Sequence, residues 1–183
     1  MVNYLALLRG INVGGNNSIK MEHLRHYMAD AGYSNITTYI QSGNIVFTAT
    51  EKNKEKIAKA IEELIENKFG FKIYVFVLGD KDLLKVAANN PYAEMNVTEA
   101  GPKKLYVTFL SDIPARENME SLYESSTSGD LISSTDTVLY FKLAGKASDS
   151  KLSNSFIENK LKIKATTRNW NTTVKLLALL DKL

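Results

Sequence analysis

At 183 residues and 20.4 kDa, the chain is too short for two large domains and suits one domain or two small ones folded against each other. Hydrophobic residues at 44% and charged residues at 23% exclude global disorder, and the absence of cysteine excludes disulfides, thiolate nucleophiles, iron–sulfur clusters and cysteine-ligated zinc. A net charge of +3 is too small for composition alone to imply a nucleic-acid partner.

Residues 4–11 form a short apolar run, too brief for a stable helix and ended by glycine and asparagine, which predicts a buried strand. After a loop over 12–17, Met21, Leu24, Met28 and Ala31 recur at helical steps, and Gly32 supplies a left-handed stop. Residues 36–41 and 45–49 are β-prone runs joined by Ser42, Gly43 and Asn44, the pattern of a hairpin. Ile57, Ile61, Leu64 and Ile65 predict a second helix stopped by Gly70, residues 73–78 a strand, and residues 80–90 a helix that Pro91 ends. The same order then returns. Residues 105–110 predict a strand, 115–125 a helix, and 131–134 with 138–143 a second hairpin. A helix carrying Leu152, Phe156 and Ile163 follows, then a strand over 165–170 and a closing helix over 172–183 with Asn171 as its N-cap.

Both halves spell β-α-β-β-α-β and one further helix. That order predicts an α+β protein of two ferredoxin-like subdomains, residues 1–98 and 99–183, each an antiparallel sheet in the order 4-1-3-2 with both helices on one face. The seam is expected between Tyr92 and Pro102, where apolar periodicity lapses. The opening residues have no basic stretch before their apolar run, and no segment approaches the roughly 20 consecutive apolar residues of a membrane span. A soluble cytoplasmic protein with no membrane partner is expected.

The most informative segment is the run from Arg9 to Asn17, with Gly10, Asn12, Gly14 and Gly15 between a strand and a helix. Backbone N–H groups at a helix start form a ready anion site, and an arginine adds a bidentate clamp for phosphate or carboxylate. Gly10 and Gly15 have P-loop spacing, but Asn16 and Asn17 stand where lysine and serine or threonine are required, so this is not a Walker A sequence. In the expected strand order, the loop after strand one and the hairpin between strands two and three project from the same sheet edge. Tyr39, Gln41, Ser42 and Asn44 then join the Arg9 loop as candidate ligand contacts. The plain alternative is turn chemistry, which accounts for the glycines and for Asn44 but not for Gln41.

A second polar group, Lys151 with Arg168, Asn169 and Trp170, falls in loops at the opposite edge of the second sheet. A tryptophan beside an arginine can stack a planar ligand, although a solitary tryptophan more often fills a core. Ser148 and Lys151 spell S-x-x-K without the companion motifs of acyl-transfer enzymes, and chance explains them. His23 and His26 lie on the polar side of the first helix with no third ligand in place, so neither a metal nor any cofactor is expected.

Six blocks stand out: Leu7-Leu8-Arg9-Gly10-Ile11-Asn12-Val13-Gly14-Gly15, Thr38-Tyr39-Ile40-Gln41-Ser42-Gly43-Asn44, Asn90-Pro91-Tyr92, Phe109-Leu110, Ser150-Lys151-Leu152 and Thr167-Arg168-Asn169-Trp170-Asn171-Thr172. In this order they resemble a bacterial family, domain of unknown function 1697. The resemblance implies a two-subdomain α+β structure and brings no activity with it. The segment Ala144-Gly145-Lys146-Ala147-Ser148 departs from the family's Gly-rich basic form.

The residues admit three functions. The first is binding of a small anionic or nucleotide-like ligand at the Gly-rich loop and hairpin, with binding favoured over catalysis because no acid–base pair or nucleophile stands out. Nucleic-acid binding ranks lower: Gly43-Asn44-Ile45-Val46-Phe47-Thr48 and Thr137-Val138-Leu139-Tyr140-Phe141-Lys142 lack the basic and aromatic signature of RNA-recognition sheets. A protein-interaction or oligomerisation module is the third reading, because sheet edges can pair between chains.

Overall fold

The computed structural model describes residues 1–94, 104–126, 129–147 and 150–183. Most of the expected seam, and Ser148 of the S-x-x-K pattern, lie outside the described residues. The chain forms two compact units, Met1–Leu84 with Lys175–Leu183, and Lys85–Val174. Elements in the first are β1 (Val2–Leu8), α1 (Met21–Asp30), β2 (Ser34–Tyr39), β3 (Asn44–Ala49), α2 (Lys54–Phe69) and β4 (Val75–Gly79). Helix α3 (Asp80–Ala88) follows, and then β5 (Leu105–Leu110), α4 (Arg116–Glu124), β6 (Leu131–Thr135), β7 (Val138–Lys142), α5 (Asn154–Leu161), β8 (Ala165–Asn169) and α6 (Trp170–Leu180). Among the described residues the result is a mixed fold of two four-stranded antiparallel sheets and six helices, with strand orders β2-β3-β1-β4 and β6-β7-β5-β8. Read from the other end, each is the expected 4-1-3-2 order. No described helix is long and apolar enough to cross a membrane.

Alternation in the strands sets the layers. Tyr4, Ala6 and Leu8 of β1 share a face with Phe47 and Ile45 of β3 and Val75 of β4. On that face lie Leu24 and Met28 of α1 and Ile57, Ile61 and Ile65 of α2, all in one buried cluster. Each such fully buried side chain contributes about 1.5–3 kcal/mol. In the second unit Leu110, Leu139, Phe141 and Ala165 meet Met119 and Leu122 of α4 and Ile157 and Leu161 of α5 in the same way. The opposite faces are buried too: Leu5, Leu7 and Val46 in the first sheet and Val107, Phe109 and Tyr140 in the second.

Helix ends follow local chemistry. After α1, the Gly32 N–H donates to the Ala29 carbonyl and the Tyr33 N–H to Met28, with Gly32 at φ 91°, the left-handed stop expected of this glycine. Helix α2 is capped by the Asn53 side chain and ends on left-handed Gly70, while α5 is capped by Ser153 and ends on left-handed Lys162. Helix α5 is shorter than expected: Leu152 and Ile163 flank it, yet both join its core cluster. The expected N-cap Asn171 is also corrected. Helix α6 starts at Trp170 because Asn169, at the end of β8, accepts the Asn171 N–H through Oδ1 at 3.0 Å. Strand passes into helix with no linker.

Candidate functional site

At the end of the first sheet where β1 and β2 finish, residues 9–20 and the turn 40–43 lie side by side. Helix α1 begins only at Met21, so the glycines do not sit on its N-terminus as the sequence predicted. Instead residues 12–17 fold back on themselves. The Asn12 N–H donates to the Asn17 carbonyl at 3.2 Å and the Asn16 N–H to Val13 at 3.1 Å, with Gly14 and Gly15 at φ 59° and 80°. That geometry is a two-residue hairpin turn of the type only glycine or asparagine adopts easily. The glycine pair therefore builds an exposed finger whose flank Val13 is 66% exposed.

Asn12 ties this finger to its neighbour. Its Nδ2 donates to the Gln41 carbonyl at 2.8 Å and to the Ile19 carbonyl at 3.1 Å, and its Oδ1 accepts the Ile19 N–H at 2.8 Å. Asn17 Nδ2 closes the base of the loop on the Gly10 carbonyl at 3.1 Å. The Leu8 N–H donates to the Gly43 carbonyl at 2.8 Å, and the Arg9 N–H to Tyr74 at 3.0 Å. Gly43 has no room to be anything else. A Cβ there would stand 2.7 Å from Leu8 Cβ and 3.0 Å from Ile11 Cδ1, at φ 78°.

The predicted contacts divide by accessibility. Gly14, Gly15 and Gln41 are exposed, while Arg9, Asn12, Tyr39 and Ser42 are half-buried. Asn44 is fully buried, its Nδ2 donating to the Tyr39 carbonyl at 3.0 Å and to Ser42 Oγ at 2.9 Å. Its amide serves the turn. The sequence reading missed Ile40. This β-branched residue is held at φ 51° and stands 52% exposed at the head of the turn, a backbone region that costs such a side chain on the order of 1–3 kcal/mol. Nothing in its residue type signals that; the residue opens the four-residue turn 40–43 that joins β2 to β3.

In the second unit the predicted residues differ in exposure and in their local bonds. Lys151 is exposed, Trp170 is buried in the first turn of α6, and Asn169 caps that helix. Arg168 is buried, its Nη1 donating to Thr166 Oγ1 and to the Thr167 carbonyl, both at 2.9 Å. Burial pushes its guanidinium down to about 10, which leaves it charged at neutral pH. His26 is exposed and meets Asp30 at 3.5 Å, and no group of side chains suited to a metal occurs among the described residues.

The loop and the turn both fall inside the span matched by a model for a protein of unknown function, DUF1697, at residues 1–140. The chain belongs to this family. The blocks around Lys151 and Arg168 lie beyond the matched span of this DUF1697 protein. Among solved structures, the conserved bacterial protein SP0830 from Streptococcus pneumoniae is similar, with a TM-score of 0.72, 23% identity, and 98% of each chain covered. At that identity the likeness carries the fold alone. No curated protein matches the chain.

Proposed function

We propose that this protein binds a small anionic or nucleotide-like ligand at the loop end of its first sheet. The observation that carries the reading is an internal comparison. The connection from the first strand to the first helix takes residues 9–20 in the first unit but only 111–115 in the second, and the hairpin turn takes 40–43 against 136–137. The shorter versions complete the same strand order, so the extra residues are not needed for the fold. Both expansions sit at one sheet end and are joined through Asn12 and Gln41. They gather an arginine, exposed glycine backbone and a side-chain amide, groups that suit phosphate or carboxylate. The same reading takes each unit as a ferredoxin-like βαββαβ unit with one further helix, the subdomains dividing near residue 98; the shared strand order supports it.

The test is a thermal shift with inorganic phosphate, pyrophosphate and ATP on the native chain and on Arg9→Ala. A ligand at a hundredfold excess over its Kd stabilises by about 2.7 kcal/mol, enough to read as a clear rise in Tm. The native chain should show that rise for at least one of the three and Arg9→Ala should lose it. Equal shifts in both proteins, or none in either, would remove the site.

A further inference from the structure

We propose that β6 is a docking edge that takes an extended peptide segment with basic flanks, as an added antiparallel strand of the second sheet. The two sheets have four edge strands, β2, β4, β6 and β8. Unpaired edge strands invite pairing with other chains, and native proteins usually block them.

Three of the four are blocked. The Arg9–Tyr74 bond sets the alternation along β4, so Val75, Val77 and Gly79 point their backbone groups off the sheet. The Val75 N–H is taken by Glu62 Oε1 at 2.8 Å and the Gly79 N–H by Asp82 Oδ2 at 2.7 Å. By the same reasoning Ala165, Thr167 and Asn169 of β8 point outward, from the Ser111–Lys164 bond. The Ala165 N–H meets Glu158 Oε1 at 3.0 Å, the Thr167 carbonyl accepts from Arg168, and the Asn169 carbonyl accepts from Thr173 Oγ1 at 3.2 Å. On β2 the pairing shifts register between Ser34 and Thr37, with Asn35 at φ 52°, which breaks the edge.

Strand β6 has none of these devices. It pairs with β7 in one unbroken register from Leu131 to Thr135 and contains no charged residue and no proline. The Leu110–Thr137 bond directs residues 138, 140 and 142 of β7 toward β6, so Ile132 and Ser134 carry the outward backbone groups. No described residue bonds them. Leu131, at the start of the strand, is 42% exposed.

Charge selects the occupant. Asp130 and Asp136 bracket the strand. A second copy paired antiparallel through Ile132 and Ser134 would set Asp130 of one copy against Asp136 of the other, at both ends, and like charges directly opposite are unfavourable. A strand carrying lysine or arginine at those two positions meets attraction instead. Lys85 reaches Asp136 only at 3.4 Å, with both side chains largely exposed, and such a pair is readily exchanged.

The experiment uses the full chain and two seven-residue peptides of alternating threonine and valine, one with lysine at each end and one with glutamate. The lysine-ended peptide should bind about tenfold more tightly than its twin and slow amide hydrogen exchange at Ile132 and Ser134. Ser134→Pro removes an outward N–H that β7 does not use and an exposed Ser134 Oγ–Tyr123 hydroxyl bond of 3.0 Å, so this variant should keep its Tm within a few degrees and lose the peptide. Equal affinity for both peptides, protection at another strand, or unchanged binding by a folded Ser134→Pro would overturn the proposal. So would a concentration-dependent dimer abolished by Ser134→Pro, which would give the edge to a second copy. The exchange measurement on the native chain decides the matter even if the variant misfolds.

Discussion

The two units solve one folding problem twice, with different residues at almost every matching place. Leu8 donates to Gly43 at the end of the first pair of central strands, and Leu110 donates to Thr137 at the end of the second. Arg9 to Tyr74 is matched by Ser111 to Lys164. A glutamate from the preceding helix takes the first N–H of the last strand in both, Glu62 on Val75 and Glu158 on Ala165. These bonds are made by backbone groups or by one long acidic side chain, so they survive when the surrounding residue types change. What does not match is the loop end of the first sheet. There the backbone is left-handed at Gly10, Asn12, Gly14, Gly15, Asn17, Ile40 and Gly43, against Asp136 alone at the corresponding end of the second among the described residues. Left-handed backbone gathered at one of two equivalent places is a difference that the shared strand order does not require, and at Ile40 it is strained.

The largest effect is expected from making the first turn resemble the second. Thr137 carries a full side chain where Gly43 carries none, and in the first unit Ile11 lies against Gly43. Gly43→Thr forces a Cβ against Leu8 and Ile11 at a positive φ. It should cost about 3 kcal/mol, read as a large fall in the urea midpoint. A variant as stable as the native chain would mean that the turn is loosely held and the two ends are not as different as they look.

Removing the tie between finger and turn is the next largest change. Asn12→Ala deletes the bonds to the Ile19 N–H, the Ile19 carbonyl and the Gln41 carbonyl, and places alanine at φ 53°. A loss of about 2 kcal/mol is expected, with faster amide exchange confined to residues near Ile19 and Gln41. Exchange that quickens equally in the second unit would show that Asn12 supports the whole chain rather than this end of it.

How much of this was legible in the sequence follows from the range of the forces involved. Strand and helix identity rests on alternation and helical spacing, so the element order, Gly32 and Gly70 as stops, and the hairpin around Ser42-Gly43-Asn44 could be read directly. Helix starts could not always be read. Asn171 looked like the cap of α6, but a strand that runs straight into a helix moves the capping role to Asn169. Antiparallel pairing predicted that the Arg9 loop and the hairpin share an edge, and the Asn12–Gln41 bond places them in contact. Which side of each polar residue faces water was not readable. Asn44 and Arg168 are polar letters in buried positions, and their partners are backbone carbonyls and hydroxyls that no spacing rule announces. Ile40 is the extreme case, because its strain comes from the closure of a turn and not from its own preferences.

The smallest expected difference between the units is electrostatic. Glu51 Oε1 accepts the N–H groups of Lys52 at 2.7 Å and Asn53 at 2.8 Å, just before α2. The bond from Asn53, then that from Lys52, holds its carboxyl below its ordinary value of 4.5, with Lys56 nearby acting in the same direction. A carboxyl whose folded value is depressed adds stability that is complete above the unfolded value and is lost as pH falls through the folded one. The corresponding helix α5 is capped by Ser153, which does not titrate in this range. Acidification from pH 6 toward pH 3 should therefore loosen the start of α2 more than the start of α5, seen as faster exchange at Lys56 than at Phe156 after correction for intrinsic rates. Glu51→Gln keeps an acceptor for both N–H groups without a titrating charge, and should flatten that pH dependence while changing little at neutral pH. If the slope persists in Glu51→Gln, the acid sensitivity of this end of the first unit belongs to another carboxyl, and the difference between the caps of α2 and α5 has no electrostatic consequence.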